Sequence, residues 1–353
     1  MTRNLLAATL AAILLGACGG GGEGGGGGVQ ARLTGAGATF PNPIYQRWSD
    51  AYNRETGIQV NYQSIGSGGG IRQFTEGTVD FGATDGPMTE EQLAAVNGNV
   101  IHVPTVLGAV VLTYNLPQIA GQTLVLDATT IADMYLGRIS RWNDARIAAL
   151  NPGVTLPAAD LIVAHRSDGS GTTYVFTDYL SKVSEEWRTR VGTNTAVNWP
   201  TGLGGRGNEG VTQQVKQLPG ALGYVELVYA ISNQLPFAEV RNAAGNAVTP
   251  TLASVTAAAA SAELTADTDF RVSITNPPGA AAYPIASFTW LLVHRDNPDA
   301  TKAALVRDFV RWVLTPEAQQ MALDLQYAPL PENALNLVTE RLATLRAAGQ
   351  PIP

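Results

Sequence analysis

Leu161-Ile162-Val163-Ala164-His165 runs directly into Arg166-Ser167-Asp168-Gly169-Ser170-Gly171-Thr172-Thr173, and Thr172 to Val183 continues with helical spacing. The first five residues form an apolar run of strand length. The loop that follows is built of glycine, hydroxyl residues, one arginine and one aspartate. A strand that turns through a short loop into a helix is the repeating unit of an α/β fold. The turn also carries chemistry. A helix N-terminus presents unpaired N–H groups and the positive end of the helix dipole, so it receives anions. Glycine lets the backbone approach an oxyanion closely, and serine or threonine adds an O–H donor.

Two upstream segments share this design. Gly35-Ala36-Gly37-Ala38-Thr39-Phe40-Pro41 is one, and Gly66-Ser67-Gly68-Gly69-Gly70, ahead of a helix expected to start at Ile71, is the other. Any one glycine-rich turn is ordinary loop chemistry. Three donor-rich turns in one chain, one with an arginine, point to a site for a tetrahedral oxyanion. No Gly-Lys-Ser/Thr ending supports a nucleotide P-loop. Gly169-Ser170-Gly171 lacks the spacing of a hydrolase nucleophile elbow.

Further out, strand and helix signals alternate. Tyr45, Trp48 and Tyr52 lie at helical spacing ahead of Gly57, which predicts a helix stop there. Ile58, Val60 and Tyr62 alternate with polar residues as a strand does. A short helix is expected over Ile71 to Thr78, a strand over Val79 to Ala83, and a helix over Thr89 to Val96 with Glu90 and Glu91 in its first turn. Val106 to Tyr114 and Ile285 to His294 read as strands buried on both faces. Thr129 to Leu136 is expected as a helix closed by Gly137, and Leu222 to Leu227 as a strand. Asp299 to Leu314 and Pro316 to Leu325 pattern as amphipathic helices, and the alanines of 257–260 as a surface helix. No fixed repeat period is present.

The 353 residues are 45% hydrophobic and 14% charged, enough apolar material for a large core. The formal net charge of -7 argues against nucleic acid as a partner. Local dipoles in a buried site can still outweigh a distant net charge. His102, His165 and His294 are scattered, and no His/Cys cluster has metal-ligand spacing, so no metal and no cofactor is expected.

Cys18 is the only cysteine, so no intramolecular disulfide is expected. Residues 1–18 read as a signal peptide, with Arg3 as the positive start and Leu5 to Leu15 as a short apolar run. It ends in Leu15-Gly16-Ala17-Cys18, which looks like a lipobox whose cysteine is lipidated. The alternative is an ordinary signal peptide with an incidental cysteine. Residues 19–31 form a Gly-rich tether. The expectation is an exported chain, lipid-anchored to a bacterial membrane and facing the periplasm or cell exterior.

The motifs carry a more specific likeness. Leu33-Thr34-Gly35-Ala36-Gly37-Ala38-Thr39-Phe40-Pro41 resembles the opening of the periplasmic phosphate-binding proteins of bacterial high-affinity phosphate transporters. So do Asn61-Tyr62-Gln63-Ser64-Ile65-Gly66-Ser67-Gly68-Gly69-Gly70, Val79-Asp80-Phe81-Gly82-Ala83-Thr84-Asp85-Gly86-Pro87-Met88 and Asp168-Gly169-Ser170-Gly171-Thr172. Trp199-Pro200, Gly202-Leu203-Gly204-Gly205 and Gly223-Tyr224-Val225-Glu226 extend the match to near the C-terminus. The family commonly has serine at Thr84 and alanine at Gly86.

The resemblance implies an α/β, two-lobed type 2 periplasmic substrate-binding fold with a cleft between lobes and two crossover segments. Residues 32–112 plus 286–353 would form lobe 1, and 113–285 lobe 2. Phosphate would be bound by Thr39, Phe40 (through its backbone N–H), Ser67, Asp85, Arg166, Ser170, Gly171 and Thr172. Asp85 would be the one acceptor, and Asp168 would hold Arg166 and partly neutralise it. The partners implied are inorganic phosphate and the transmembrane permease of an ABC-type importer. The chain would act as a monomer and not as an enzyme. The competing readings are a secreted phosphatase, which would need a nucleophile beside a base or metals, a binder of another tetrahedral anion such as sulfate, and a phosphate sensor.

Overall fold

The structure is a computed structural model and describes residues 31–352 apart from 261, 263, 264, 266 and 267. The signal-peptide, Cys18 and tether expectations, apart from Ala31, lie outside the described residues. The α/β expectation is met by a mixed eight-stranded sheet. Its spatial order is β2 (Gln59–Ser64), β1 (Arg32–Gly37), β3 (Phe81–Thr84), Ala286–Val293, β4 (Ile101–Tyr114), Ala221–Glu226, Ile162–Arg166 and Leu203–Gly205. β1 pairs parallel with both β2 and β3, and Ala286–Val293 runs antiparallel to β3 and β4.

β4 belongs to both halves of this sheet. Its first part, through Ala109, pairs with Ala286–Val293, and from Val110 onward it pairs with Ala221–Glu226. All fourteen residues of β4 are buried. The architecture is two-lobed, and β4 changes partner along its length. Where the chain enters Ala286–Val293, Val110 N–H donates to Ile285 O.

α1 (Asn42–Thr56) turns Ile44, Tyr45, Trp48 and Tyr52 inward, and Gly57 ends it in the left-handed conformation at φ 73°. Trp48 is fully buried and donates Nε1–H to Ala318 O at 2.8 Å, tying α1 to the helix Pro316–Asp324. Burying a side chain of that size contributes about 2–3 kcal/mol before entropy is counted.

Three expectations are corrected. α2 spans Ser67–Thr75, so Gly68 to Gly70 are helical where a loop was expected. A Cβ on Gly70 would sit 2.4 Å from Gly37 Cα and 2.6 Å from Ala36 O, so glycine is what lets α2 lie directly on β1. β4 begins at Ile101, not Val106, and carries Pro104. Thr289 faces Val106 and Trp290 faces Pro104, so Thr105 is an extra residue, a bulge that tolerates the proline. The alanines of 257–260 end the helix Leu252–Ala259, with Ala258 and Ala259 buried, so this helix is half in the core.

Candidate functional site

The three donor-rich turns come together. Thr39 and Phe40 follow β1 and are buried. Tyr62 Oη–H holds the preceding carbonyl, Ala38 O, at 2.7 Å, and Tyr327 Oη–H holds Phe40 O at 2.7 Å. The Phe40 ring lies against Gly108 of β4, where a Cβ would come within 2.6 Å of it.

Ser67 opens α2 with no exposure. Its Oγ accepts Gly171 N–H at 3.0 Å and Asp85 N–H at 3.3 Å, so the hydroxyl proton has to point elsewhere. Gly171 is the first residue of the helix Gly171–Val183, and Ser170 caps it by accepting Thr173 N–H at 3.0 Å. A Cβ on Gly171 would lie 2.5 Å from both Asp85 Oδ2 and Ser67 Oγ, so only glycine permits this approach. Gly66, at φ 86°, is likewise confined: a Cβ there would meet Asp168 Oδ2 at 2.5 Å. Gly68 N–H donates to Gly169 O at 2.9 Å.

Arg166 ends the strand Ile162–Arg166, and its side chain is 1% exposed. Its Nε–H and Nη2–H form a two-point pair with Asp168 at 2.8 and 2.6 Å. Nη1 reaches Thr172 Oγ1 at 3.4 Å. Burial alone would raise the Asp168 carboxyl, but the Arg166 guanidinium overrides it and holds it below the usual carboxylate range. Asp168 also accepts Gly207 N–H at 3.0 Å.

Asp85 is 1% exposed and follows β3. Oδ1 accepts Thr289 Oγ1–H at 2.8 Å, while Oδ2 is buried with no hydrogen-bond partner among the described residues. Burial pushes its pKa up to about 7, against the opposing pull of Thr289 and Arg166. An unsatisfied buried carboxylate oxygen is costly, so Oδ2, close to Gly171, is a strong acceptor for any proton presented to it. Thr84 and Gly86, where the family differs, contact each other: Gly86 N–H donates to Thr84 Oγ1 at 3.2 Å. A Cβ on Gly86 would press within 2.6 Å of the Tyr174 ring.

All eight ligand candidates are therefore buried in one cluster, with the half-buried Asp168 at its edge on Arg166. The sequence reading missed Asn208, whose Nδ2–H groups reach Thr39 Oγ1 at 2.7 Å and Thr172 Oγ1 at 3.1 Å. It also missed Thr289. The signal for Asn208 was in view, since Gly204-Gly205-Arg206-Gly207 is one more glycine-rich loop opening a helix, Gly207–Gln217. Thr289 sits in a strand buried throughout, Ala286–Val293, and has no such signal. The histidines point elsewhere. His102 contacts Asp269 and Met88 N–H, while His165 stacks on Trp199 and His294 on Phe74.

Comparison with known proteins adds to this geometry. Residues 23–317 match the family model described as a PBP superfamily domain. The chain is 45% identical over 314 residues to Phosphate-binding protein PstS of Pasteurella multocida, covering 88% of this chain and 90% of that one. It is 44% identical over 307 residues to Phosphate-binding protein PstS of Xylella fastidiosa, covering 87% and 84%. Among solved structures, it superposes on a high-affinity periplasmic phosphate-binding protein (PfluDING) bound with phosphate, at a TM-score of 0.68 and 22% identity, over 88% of this chain and 93% of that one. The Phosphate-Binding Protein from Stenotrophomonas maltophilia superposes with the same score and coverages at 19% identity. At such identities these two superpositions speak for the fold.

Proposed function

The chain belongs to the PstS family of phosphate-binding proteins within the PBP superfamily, and from that premise we propose that it captures inorganic phosphate between its lobes and delivers it to an ABC-type phosphate importer. The observation that carries this reading is the bare Oδ2 of Asp85, buried among donors from both halves of the sheet. Phosphate near neutral pH keeps at least one proton, and that proton can be donated to a carboxylate in a charge-assisted hydrogen bond. The remaining oxygens suit the hydroxyls of Thr39, Ser67, Ser170 and Thr172, the N–H of Phe40 and the Arg166 guanidinium, while the Gly171 N–H, which donates to Ser67 Oγ, lines the same site. Asp168 holds the guanidinium flat in place.

We assign residues 32–112 and 286–353 to one lobe and 113–285 to the other. The change of partner along β4 and the start of the return strand at Ala286 support this division. The role is capture and release by a monomer, without catalysis. A phosphatase would need a base beside one of the site hydroxyls; the three histidines bond to Asp269, Arg166 O and Asn99 O instead, and Asp85, the carboxyl beside Ser67, is assigned to accepting the ligand's proton. Export and lipid anchoring at Cys18 complete the reading, supported by the Leu15-Gly16-Ala17-Cys18 box.

The experiment is calorimetric titration of the purified chain with phosphate, alongside incubation with a chromogenic phosphate ester. Saturable binding at one site per chain and no released chromophore are expected. No heat with phosphate, or steady turnover of the ester, contradicts the proposal.

A further inference from the structure

Asn208 is fully buried near the start of the helix Gly207–Gln217. Its Oδ1 accepts Glu226 N–H at 3.0 Å, which fixes the oxygen end of the amide and turns Nδ2 toward the threonines. Thr39 Oγ1 then accepts both Asn208 Nδ2–H, at 2.7 Å, and the Asn208 backbone N–H, at 3.2 Å. Thr172 Oγ1 accepts Asn208 Nδ2–H at 3.1 Å and Arg166 Nη1–H at 3.4 Å. A hydroxyl has two acceptor sites and a single proton. With both acceptor sites occupied on each threonine, each proton has to be donated away from Asn208.

A free threonine hydroxyl rotates to whichever acceptor suits it, including its own backbone. Ser67 is fixed without a side chain, because two backbone N–H groups fill its acceptor sites. Thr39 and Thr172 come from opposite sides of the site, and one carboxamide orders both. Resting on the phosphate reading above, we propose that Asn208 is a positioning residue that turns the Thr39 and Thr172 hydroxyl protons toward the bound anion and makes both threonines obligate donors.

The proposal ranks two substitutions against intuition. Aspartate has the shape of asparagine but would accept from both threonines, reversing their hydroxyls and adding a negative charge beside the anion. Alanine leaves a cavity and lets the hydroxyls rotate. If Asn208 mattered only for packing, Asn208→Ala would harm binding more than Asn208→Asp.

The test is phosphate titration of the wild-type chain, Asn208→Ala and Asn208→Asp, with the ligand-free melting temperature recorded for each. We expect Asn208→Ala to weaken binding roughly tenfold and Asn208→Asp more than about a hundredfold, as loss of one and then two buried hydrogen bonds implies. Asn208→Asp binding as well as or better than Asn208→Ala overturns the inference. A second arm places Asn208→Ala on a Thr39→Val, Thr172→Val background. There it should cost no more than about threefold, because residues that act through each other are non-additive. A full tenfold loss on that background overturns the inference, and this arm decides alone if Asn208→Asp does not fold. Failure of the wild type to bind phosphate is a different result, since it rejects the proposed function itself.

Discussion

Asp85 has one oxygen tied to Thr289 and the other bare, in a site where burial pushes its pKa up to about 7. An unfolded aspartate titrates near 4, so between about pH 4 and 7 the native chain holds a proton that the unfolded chain has lost. Stability from this group is therefore complete below about pH 4 and is lost as pH rises through about 7. Without phosphate, the wild-type melting temperature should fall relative to that of Asp85→Asn across that window. Parallel curves from pH 4 to 8 would show that Asp85 is not held protonated. The neighbouring constraint is steric. Gly171→Ala would put a methyl 2.5 Å from Asp85 Oδ2 and Ser67 Oγ. Overpacking of this kind costs about 1–3 kcal/mol, so phosphate should bind roughly ten- to a hundredfold more weakly. Titration of Gly171→Ala at wild-type affinity would mean the helix start does not approach these groups.

Elements were legible where local pattern and tertiary need agree. The strand Ile162–Arg166, its loop and the helix Gly171–Val183 were readable because an apolar run, a donor loop and a helical period follow each other. α2 was misplaced because glycines are poor helix formers, and the close packing of Gly70 on β1 overrides that preference. β4 extends upstream of the apolar run from Val106, because the bulge at Thr105 accommodates Pro104 within the strand. That bulge lies opposite Thr289, the residue that orients Asp85, so an irregularity invisible in the sequence sits where the site is tuned. Most ligand candidates came from motif resemblance, while Asn208 and Thr289 act through contacts 169 and 204 residues apart in the chain. Ser170 joins element and site, since it caps its helix through Thr173 N–H. Ser170→Ala should lower stability by about 1 kcal/mol in urea unfolding and also weaken phosphate. Unchanged stability with weaker binding would remove the cap from the account.

At the scale of the molecule, groups from both sides of the cleft meet directly. Gly68 N–H reaches Gly169 O, and Tyr229 Oη–H and Asn208 both reach Thr39. A ligand gripped from both sides should favour the closed arrangement over open ones. Small-angle scattering should give a smaller radius of gyration with saturating phosphate than without it, and an unchanged radius would argue against hinge closure. The formal charge of -7 places no attraction for anions on the surface at large, so capture depends on the local field of Arg166 and the helix starts. The central claim is that Asp85 makes this field selective. Hydroxyls, amides and a guanidinium donate equally to phosphate and sulfate, but only phosphate has a proton for Asp85. The most direct measurement is titration of the wild type and Asp85→Asn with each anion at one pH above 7 and one ionic strength. The account predicts that the wild type prefers phosphate over sulfate by about a thousandfold or more, from the several kcal/mol of one lost charged hydrogen bond plus repulsion, and that Asp85→Asn narrows the gap. Wild-type protein that binds sulfate as tightly as phosphate would contradict it.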